Sequence, residues 1–304
     1  EGFNPTKFQN TALEFYYNSQ RISVRISTMP CVEGFDMIMR LLNNRAVELN
    51  SLENLGYQKS QVHLIKRALQ RPHGSIIISG PTGSGKSTTV AACLAEIPEY
   101  RKIYTVEDPV EYHMEQASQV SVNTDEKSTS YARVSRALLR MDPDIIVIGE
   151  IRDIDVANTM LQAANTGHLV FTTLHTKGAI NVISRLLDMG VSEKTLSESS
   201  VLLCIISQRL IPKLCPICAV PLNENLEQYK AYLPDWNQVF GDKIKHIKTR
   251  NMKGLCSHCE GRGIIGRTAV AEVLWIDEEA REFIKNCNIL QWSRHLAEKK
   301  WQTC

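Results

Sequence analysis

Residues 75–88 read SIIISGPTGSGKST: an apolar run, a glycine-rich loop, then Lys86 and Ser87. This stretch narrows the possible folds most, because G-x-x-x-x-G-K-[ST] suits a nucleotide triphosphate. Gly80, Gly83 and Gly85 permit backbone angles closed to other residues and let main-chain N–H groups approach phosphate oxygens. The loop Gly80, Pro81, Thr82, Gly83, Ser84, Gly85 is therefore expected to wrap phosphates, continuing into Lys86, Ser87 and Thr88. Lys86 is placed to reach the β- and γ-phosphates, and the Ser87 hydroxyl to ligate Mg²⁺. The helix that follows, STTVAACLAEI, would aim its N-terminal dipole at the same anion.

From Ser75 onward, apolar strand candidates alternate with helical segments. The strands are Ile76–Ile78, Ile103–Val106, Ile145–Ile148 and Leu169–Thr173. The helices are Ser130–Arg140, Asp155–Asn165, Ala179–Met189 and Glu193–Ile206. Such alternation implies parallel strands with crossovers, a three-layer α/β core. Near Pro212 the pattern gives way to a polar, cysteine-bearing insertion spanning about 212–266. It resumes at Thr268–Leu274 and closes in a helical tail containing Trp292 and Trp301. Ahead of the loop, Ser51–Gln70 is rich in helix formers. Residues 1–48 differ in character: Gln20–Thr28 alternates as a half-buried strand does, and Phe35–Leu42 is helical in character. They read as the end of a small α/β domain plus a linker, a fragment of something longer, and residues 49–304 as the main domain.

At 304 residues and a formal net charge of +2, the chain has room for two cores and no bulk charge for nucleic acid. No apolar run is long enough to span a bilayer and no signal segment opens the chain, so a cytoplasmic protein is expected. Nine cysteines, four of them in paired knuckles, do not suggest a secreted disulfide framework.

Three segments downstream of the loop carry chemistry. Val106–Glu111 (VEDPVE) ends a strand with three carboxylates around a proline. Asp142–Asp153 (DPDIIVIGEIRD) puts Glu150 at the end of an apolar strand, expected beside the phosphate-loop strand. Gly167–Thr176 (GHLVFTTLHT) runs an apolar strand between His168 and His175. A carboxylate at a strand C-terminus lies where open α/β sheets bind ligands. Singly, each acid also reads as a solvated surface charge, and each histidine as a core imidazole satisfied by backbone.

GPTGSGKST, VEDPVEY, DPDIIVIGEIRD and TGHLVFTTLHT together resemble the Walker A, Asp-box, Walker B and His-box motifs of the type II secretion and type IV pilus ATPases. The resemblance runs from about Arg21 to Leu274. It implies a RecA-like P-loop motor domain with a smaller preceding domain, assembled as a homohexamer on an inner-membrane platform protein. Carried over by position, Lys86 and Ser87 hold the phosphates of ATP and Mg²⁺, and Glu150 orients Mg²⁺ through water. Glu111 resembles the residue that activates the attacking water, and His168 and His175 resemble γ-phosphate sensors. Arg25 in VRIST and Arg40 in IMRLL resemble arginines that reach toward a nucleotide, a task suited to a bidentate, permanently charged guanidinium. Without the family, both are ordinary strand and helix charges. Arg136 and Arg140 share a helix face at i, i+4, with a site role and a salt-bridge role both open.

Cys215-Pro-Ile-Cys218 and Cys256-Ser-His-Cys259 form two C-x-x-C knuckles, the donor set of a structural, tetrahedral Zn²⁺. His258 is then a surface residue, and Cys93 and Cys204 are buried packing in apolar helices. Paired knuckles resemble the assembly branch, which powers a type IV pilus or a secretion pseudopilus from the cytoplasmic side of the inner membrane. Retraction and DNA-transfer ATPases of the same fold generally lack them. A zinc-ribbon nucleic-acid module is a competing reading, supported by Lys243, Lys245, Lys248, Arg250 and Lys253. Interleaved aromatic residues are missing there, so no direct nucleic-acid partner is expected. A nucleotide-gated scaffold without rapid turnover is the other competitor.

Overall fold

The computed structural model describes residues 4–17, 20–42, 51–111, 113–122, 131–251, 254 and 256–299. They fall into two compact units, Glu1–Arg209 with Val270–Cys304, and Leu210–Ala269. The expected boundary near residue 48, Lys253 and Trp301 lie outside the described residues.

Strands β1 (Gln9–Tyr17), β2 (Gln20–Cys31) and β3 (Gly34–Leu42) form an antiparallel sheet in that order. The strand expected over Gln20–Thr28 is part of β2. Phe35–Leu42, expected as a helix, is a strand instead. Cys31 pairs with Gly34 across a tight turn, and the register continues to Ser23 opposite Leu42. A full ladder of backbone hydrogen bonds outweighs the weak helical bias of so short a run. The described residues of 4–42 thus hold these three strands and no helix.

The main unit continues through α1 (Leu52–Leu55), α2 (Lys59–Leu69), β4 (Gly74–Ser79), α3 (Lys86–Ala95), β5 (Ile103–Glu107) and β6 (Ala117–Ser121). Then come α4 (Tyr131–Leu138), β7 (Ile145–Ile148), α5 (Ile154–Asn165), β8 (Leu169–Leu174), α6 (Ala179–Asp188), α7 (Glu193–Leu196) and β9 (Leu202–Leu214). The second unit holds β10 (Val220–Pro221), α8 (Leu226–Tyr229), α9 (Leu233–Phe240) and β11 (Lys248–Thr249). The chain closes with β12 (Ile264–Trp275), α10 (Glu278–Lys285) and α11 (Ile289–Glu298), where Trp292 is buried.

Seven strands make one sheet in the order β12-β9-β4-β8-β7-β5-β6, and β4 lies parallel to both β8 and β9. Strands β4, β7 and β8 are buried at every position, as helices on both faces require of a continuous apolar strand. All four expected core strands are present.

Two expectations change here. Glu193–Ile206 is not one helix: α7 stops at Leu196 and β9 begins at Leu202. The run VLLCIIS is apolar at consecutive positions, which suits a strand with both faces covered as well as a buried helix. Cys204 therefore packs in a strand, fully buried, its thiol pushed up to about 12 by that burial. The second change is the place of Glu150. Its strand, β7, does not adjoin β4, because β8 lies between them. Among the described residues no helix is long and apolar enough to cross a membrane.

Candidate active site

The loop after β4 turns at once. Gly80 has φ +147°, and a Cβ there would stand 2.3 Å from the Gln208 carbonyl oxygen and 2.6 Å from Ser84 Oγ. Gly85 caps α3 in the left-handed region, φ 86°. Any side chain would be strained at the first position and disfavoured at the second. The loop is thus shaped by the strands beneath it.

Lys86 curls over the loop, its Nζ donating to Gly80 O at 3.0 Å and Pro81 O at 3.2 Å. Burial lowers its pKa, and the charges of Glu150 and Glu111 oppose that shift. Three sequence-predicted residues therefore share one electrostatic neighbourhood. His175 joins them, its Nε2 3.4 Å from Glu150 Oε1. A shallow cavity between α3 and the strand ends is lined by Ser87, Glu107, Met114, Gly149 and Thr173, among others.

His168 is not part of this group. It precedes β8 at the opposite end from His175, where its carbonyl accepts from Gly74 N at 3.0 Å. Its Nδ1 lies 3.1 Å from Ala163 O and 3.2 Å from Thr166 Oγ1, a ring satisfied locally. Seven residues of extended chain separate the two histidines by roughly 20 Å. The structure supports the bland reading of His168.

Arg25 and Arg40 are brought together, directly opposite one another in the β2–β3 register. Among the described residues neither makes a hydrogen bond or ion pair to the loop. Arg136 folds back on its own helix, donating from Nε to Ala132 O at 3.0 Å, and Arg140 is exposed past the helix end.

Two residues have roles that the motifs did not assign. Arg152 bridges the Walker B and Asp-box segments, with Nε 3.2 Å from Glu150 Oε2 and Nη1 3.3 Å from Asp108 Oδ2. It stands two residues after Glu150 past a strand end, a spacing that could have flagged it. Glu107 is a half-buried acid of the Asp box. Its Oε1 accepts from Thr105 Oγ1 at 2.6 Å and Gln119 Nε2 at 3.0 Å. Burial raises its carboxyl pKa, against those bonds and a further one from the Glu111 N–H. Glu107 thus ties its own strand to Gln119 on the neighbouring edge strand.

In the second unit the four predicted cysteines converge, with their sulfurs all within 4.8 Å of one another. Cys215 and Cys256 are 4.0 Å apart at sulfur, and Cys218 and Cys259 are 3.7 Å apart. Sulfurs at about 2.3 Å from a tetrahedral Zn²⁺ stand about 3.8 Å from each other, so the donor set fits. Gly263 N donates to Cys259 Sγ at 3.1 Å, and its carbonyl accepts from Cys215 N at 3.1 Å, locking the knuckles together. The Cys259 N–H, above all, lowers the Cys256 thiol to about 7, while burial and neighbouring thiols push Cys218 up to about 12. One thiolate forms readily there and the next is penalised, which a bound dication would reverse.

Residues 5–304 match the family described as type II/IV secretion system protein. The type II secretion system protein E of Aeromonas hydrophila is 40% identical over 288 residues, covering 92% of this chain and 54% of that protein. The type II secretion system ATPase E of Vibrio cholerae is 39% identical over 277 residues, 91% of this chain and 53% of its own length. The chain thus spans about half the length of these relatives. Among solved structures, the ADP-bound pilus retraction motor PilT shares 28% identity at a TM-score of 0.65, covering 95% of this chain and 70% of that one. The Legionella pneumophila ATPase DotB shares 25% at a TM-score of 0.66, covering 97% and 71%. A phosphate loop and a carboxylate at the end of β7 on one RecA-like sheet, a four-sulfur cluster in the second unit, and a match along nearly the whole chain make it a member of the type II/IV secretion system protein family.

Proposed function

We propose that the chain binds Mg·ATP at residues 80–88 and hydrolyses it to drive assembly of a secretion pseudopilus or type IV pilus. The carrying observation is the phosphate loop itself, turned at Gly80 and Gly85 with Lys86 folded over it, whose ammonium feels the charges of Glu150 and Glu111. Main-chain N–H groups of the loop and the Lys86 ammonium would take up the charge that builds on the γ-phosphate oxygens. Glu111 would accept the proton of the attacking water. His175 would hold Glu150 in register with the γ-phosphate. Mg²⁺, held by the Ser87 hydroxyl and by Glu150 through water, supplies charge neutralisation when bound.

The four cysteines would hold a structural Zn²⁺ with no open position. Their presence, with 40% identity to a type II secretion protein E, favours the assembly side of the family over retraction or DNA transfer. Six chains would close a ring in which Arg25 and Arg40 compensate phosphate charge, at the cytoplasmic face of the inner membrane through a platform protein. Closure matters because a heterologous contact that does not close grows into filaments. Steady-state phosphate release with Mg·ATP tests the reading, expected in the native chain and reduced about 10²–10³-fold in Lys86→Ala. No release by the native chain at saturating Mg·ATP would leave the nucleotide-gated scaffold as the answer.

A further inference from the structure

Beneath the phosphate loop lies a polar network that no motif named. Tyr57, just ahead of α2, Gln208 on β9, Ser84 of the loop and Thr89 of α3 are 4%, 0%, 3% and 1% exposed. Gln208 Nε2 donates to Ser84 O at 2.7 Å, Tyr57 OH to Gln208 Oε1 at 2.5 Å, and Tyr57 OH and Thr89 Oγ1 lie 3.2 Å apart. Chemistry fixes the direction of every bond. A backbone carbonyl only accepts, so the amide must turn its NH₂ to Ser84, which leaves Oε1 for Tyr57. The phenol proton is then committed to Gln208, and Thr89 must donate to the phenol oxygen.

We propose that Gln208, clamped by Tyr57, is a positioning residue that aims the phosphate loop. Ser84 C=O and Gly85 N–H belong to one planar trans peptide, so they point in opposite directions. Drawing the carbonyl down toward β9 turns the Gly85 N–H up toward the phosphates. Gln208 also meets the other end of the loop, since its carbonyl occupies the place of a Cβ on Gly80. Thr89, one turn into α3 with its N–H on Gly85 O at 3.0 Å, ties the helix start to the same phenol. The loop is met at its first glycine, at the Ser84–Gly85 peptide and at the first helical turn, all from below. This is a direct side-chain grip on the loop backbone from the strand side. A buried glutamine closing the apolar run VLLCIIS, level with the loop, is the signal that could have disclosed it.

This role rests on the nucleotide reading and is tested apart from it. Calorimetric titration of the full chain with ADP and with AMP, both with Mg²⁺, separates the loop from the rest of the site, because only ADP carries a β-phosphate for the Gly85 N–H. Gln208→Glu keeps the shape but faces an acceptor at Ser84 O. It is expected to weaken ADP about tenfold or more and AMP by less than about twofold. Tyr57→Phe keeps the ring and the amide but removes the clamp, with an expected loss of about threefold for ADP in the same selective pattern. Thermal melts identify folded variants, and Tyr57→Phe decides the matter if Gln208→Glu does not fold. ADP and AMP weakening together, or an unmoved ADP-to-AMP ratio in the folded variants, overturns the role while leaving nucleotide binding intact. A native chain that binds neither nucleotide overturns the nucleotide reading, and this role with it.

Discussion

The strands that carry the phosphate loop and the unit that carries the cysteines are built at opposite extremes of burial. Ile76, Ile77 and Ile78 of β4, Ile145 and Ile148 of β7 and Phe171 of β8 are all fully buried. Between Leu210 and Ala269, the buried described residues are Cys215, Leu222, Thr249, Cys259, Gly263 and Ala269, two of them metal-ligand candidates. Each fully buried aliphatic side chain contributes about 1.5–3 kcal/mol, so the first region is held by its own packing. The second has too little apolar burial to be held that way. A loop shaped by packing stands ready for its ligand, whereas a unit with so small a core needs a covalent or metal staple.

Metal removal should break the comparison most visibly if it is wrong. Structural Zn²⁺ in small domains contributes about 10–16 kcal/mol, far more than the burial available here. Chelation, or Cys215→Ser, is expected to abolish hydrogen-exchange protection across residues 215–263 while ADP binding at 80–88 persists. One zinc per chain is expected on metal analysis. Unchanged protection after metal loss would show that packing suffices there too, and the contrast would fail.

Glu111→Gln sharpens the other side of it. The amide hydrogen-bonds a water but does not take its proton, so turnover is expected to fall about 10²–10⁴-fold. ADP affinity should stay within about twofold, because the cradle is formed by β4, α3 and the strand ends rather than by this side chain. Comparable losses in both would make Glu111 a binding group.

The arginine pair gives a smaller effect, of opposite sign in two measurements. Like charges directly opposite across two strands destabilise a sheet by up to about 1 kcal/mol. Arg40→Ala is therefore expected to leave the melting temperature equal or slightly higher while slowing hydrolysis more than it weakens nucleotide binding. A lower melting temperature with unaltered turnover would make the pair structural.

The features legible in the sequence are those whose chemistry is written in adjacent residues. Gly80 to Thr88 bind through consecutive N–H groups, and C-x-x-C is a local turn, so spacing and contact coincide. Glu150 could be placed at a strand end, but not which strand adjoins it, because strand order is a matter of tertiary pairing. His168 and His175 bracket one strand symmetrically in sequence, yet a strand has two ends and only the C-terminal one faces the loop. Val201–Ile206 offered no period to tell helix from strand, and Phe35–Leu42 took the structure of its hairpin partner. Gln208 and Tyr57, 151 residues apart, meet through the fold alone.

The smallest effect belongs to Glu107, and it asks whether the cradle is held by neutral contacts or by charge. Its carboxyl stands above its ordinary value of 4.5, chiefly through burial. The sign follows from linkage. Below the ordinary value the group is protonated in both folded and unfolded chains. As pH rises the folded chain holds the proton longer, so stability is lost through the interval up to the folded value. Above it the half-buried carboxylate is a standing penalty, offset in part by Thr105 and Gln119. Glu107→Gln does not titrate, and its amide oxygen still accepts from Thr105 and Gln119. The difference in melting temperature, variant minus native, is therefore expected to rise from pH 4 to pH 8. A difference that stays flat would mean Glu107 is as well solvated as a surface acid. One that falls would mean its charge is what pins the Asp-box backbone, and the cradle would then depend on electrostatics as well as on packing.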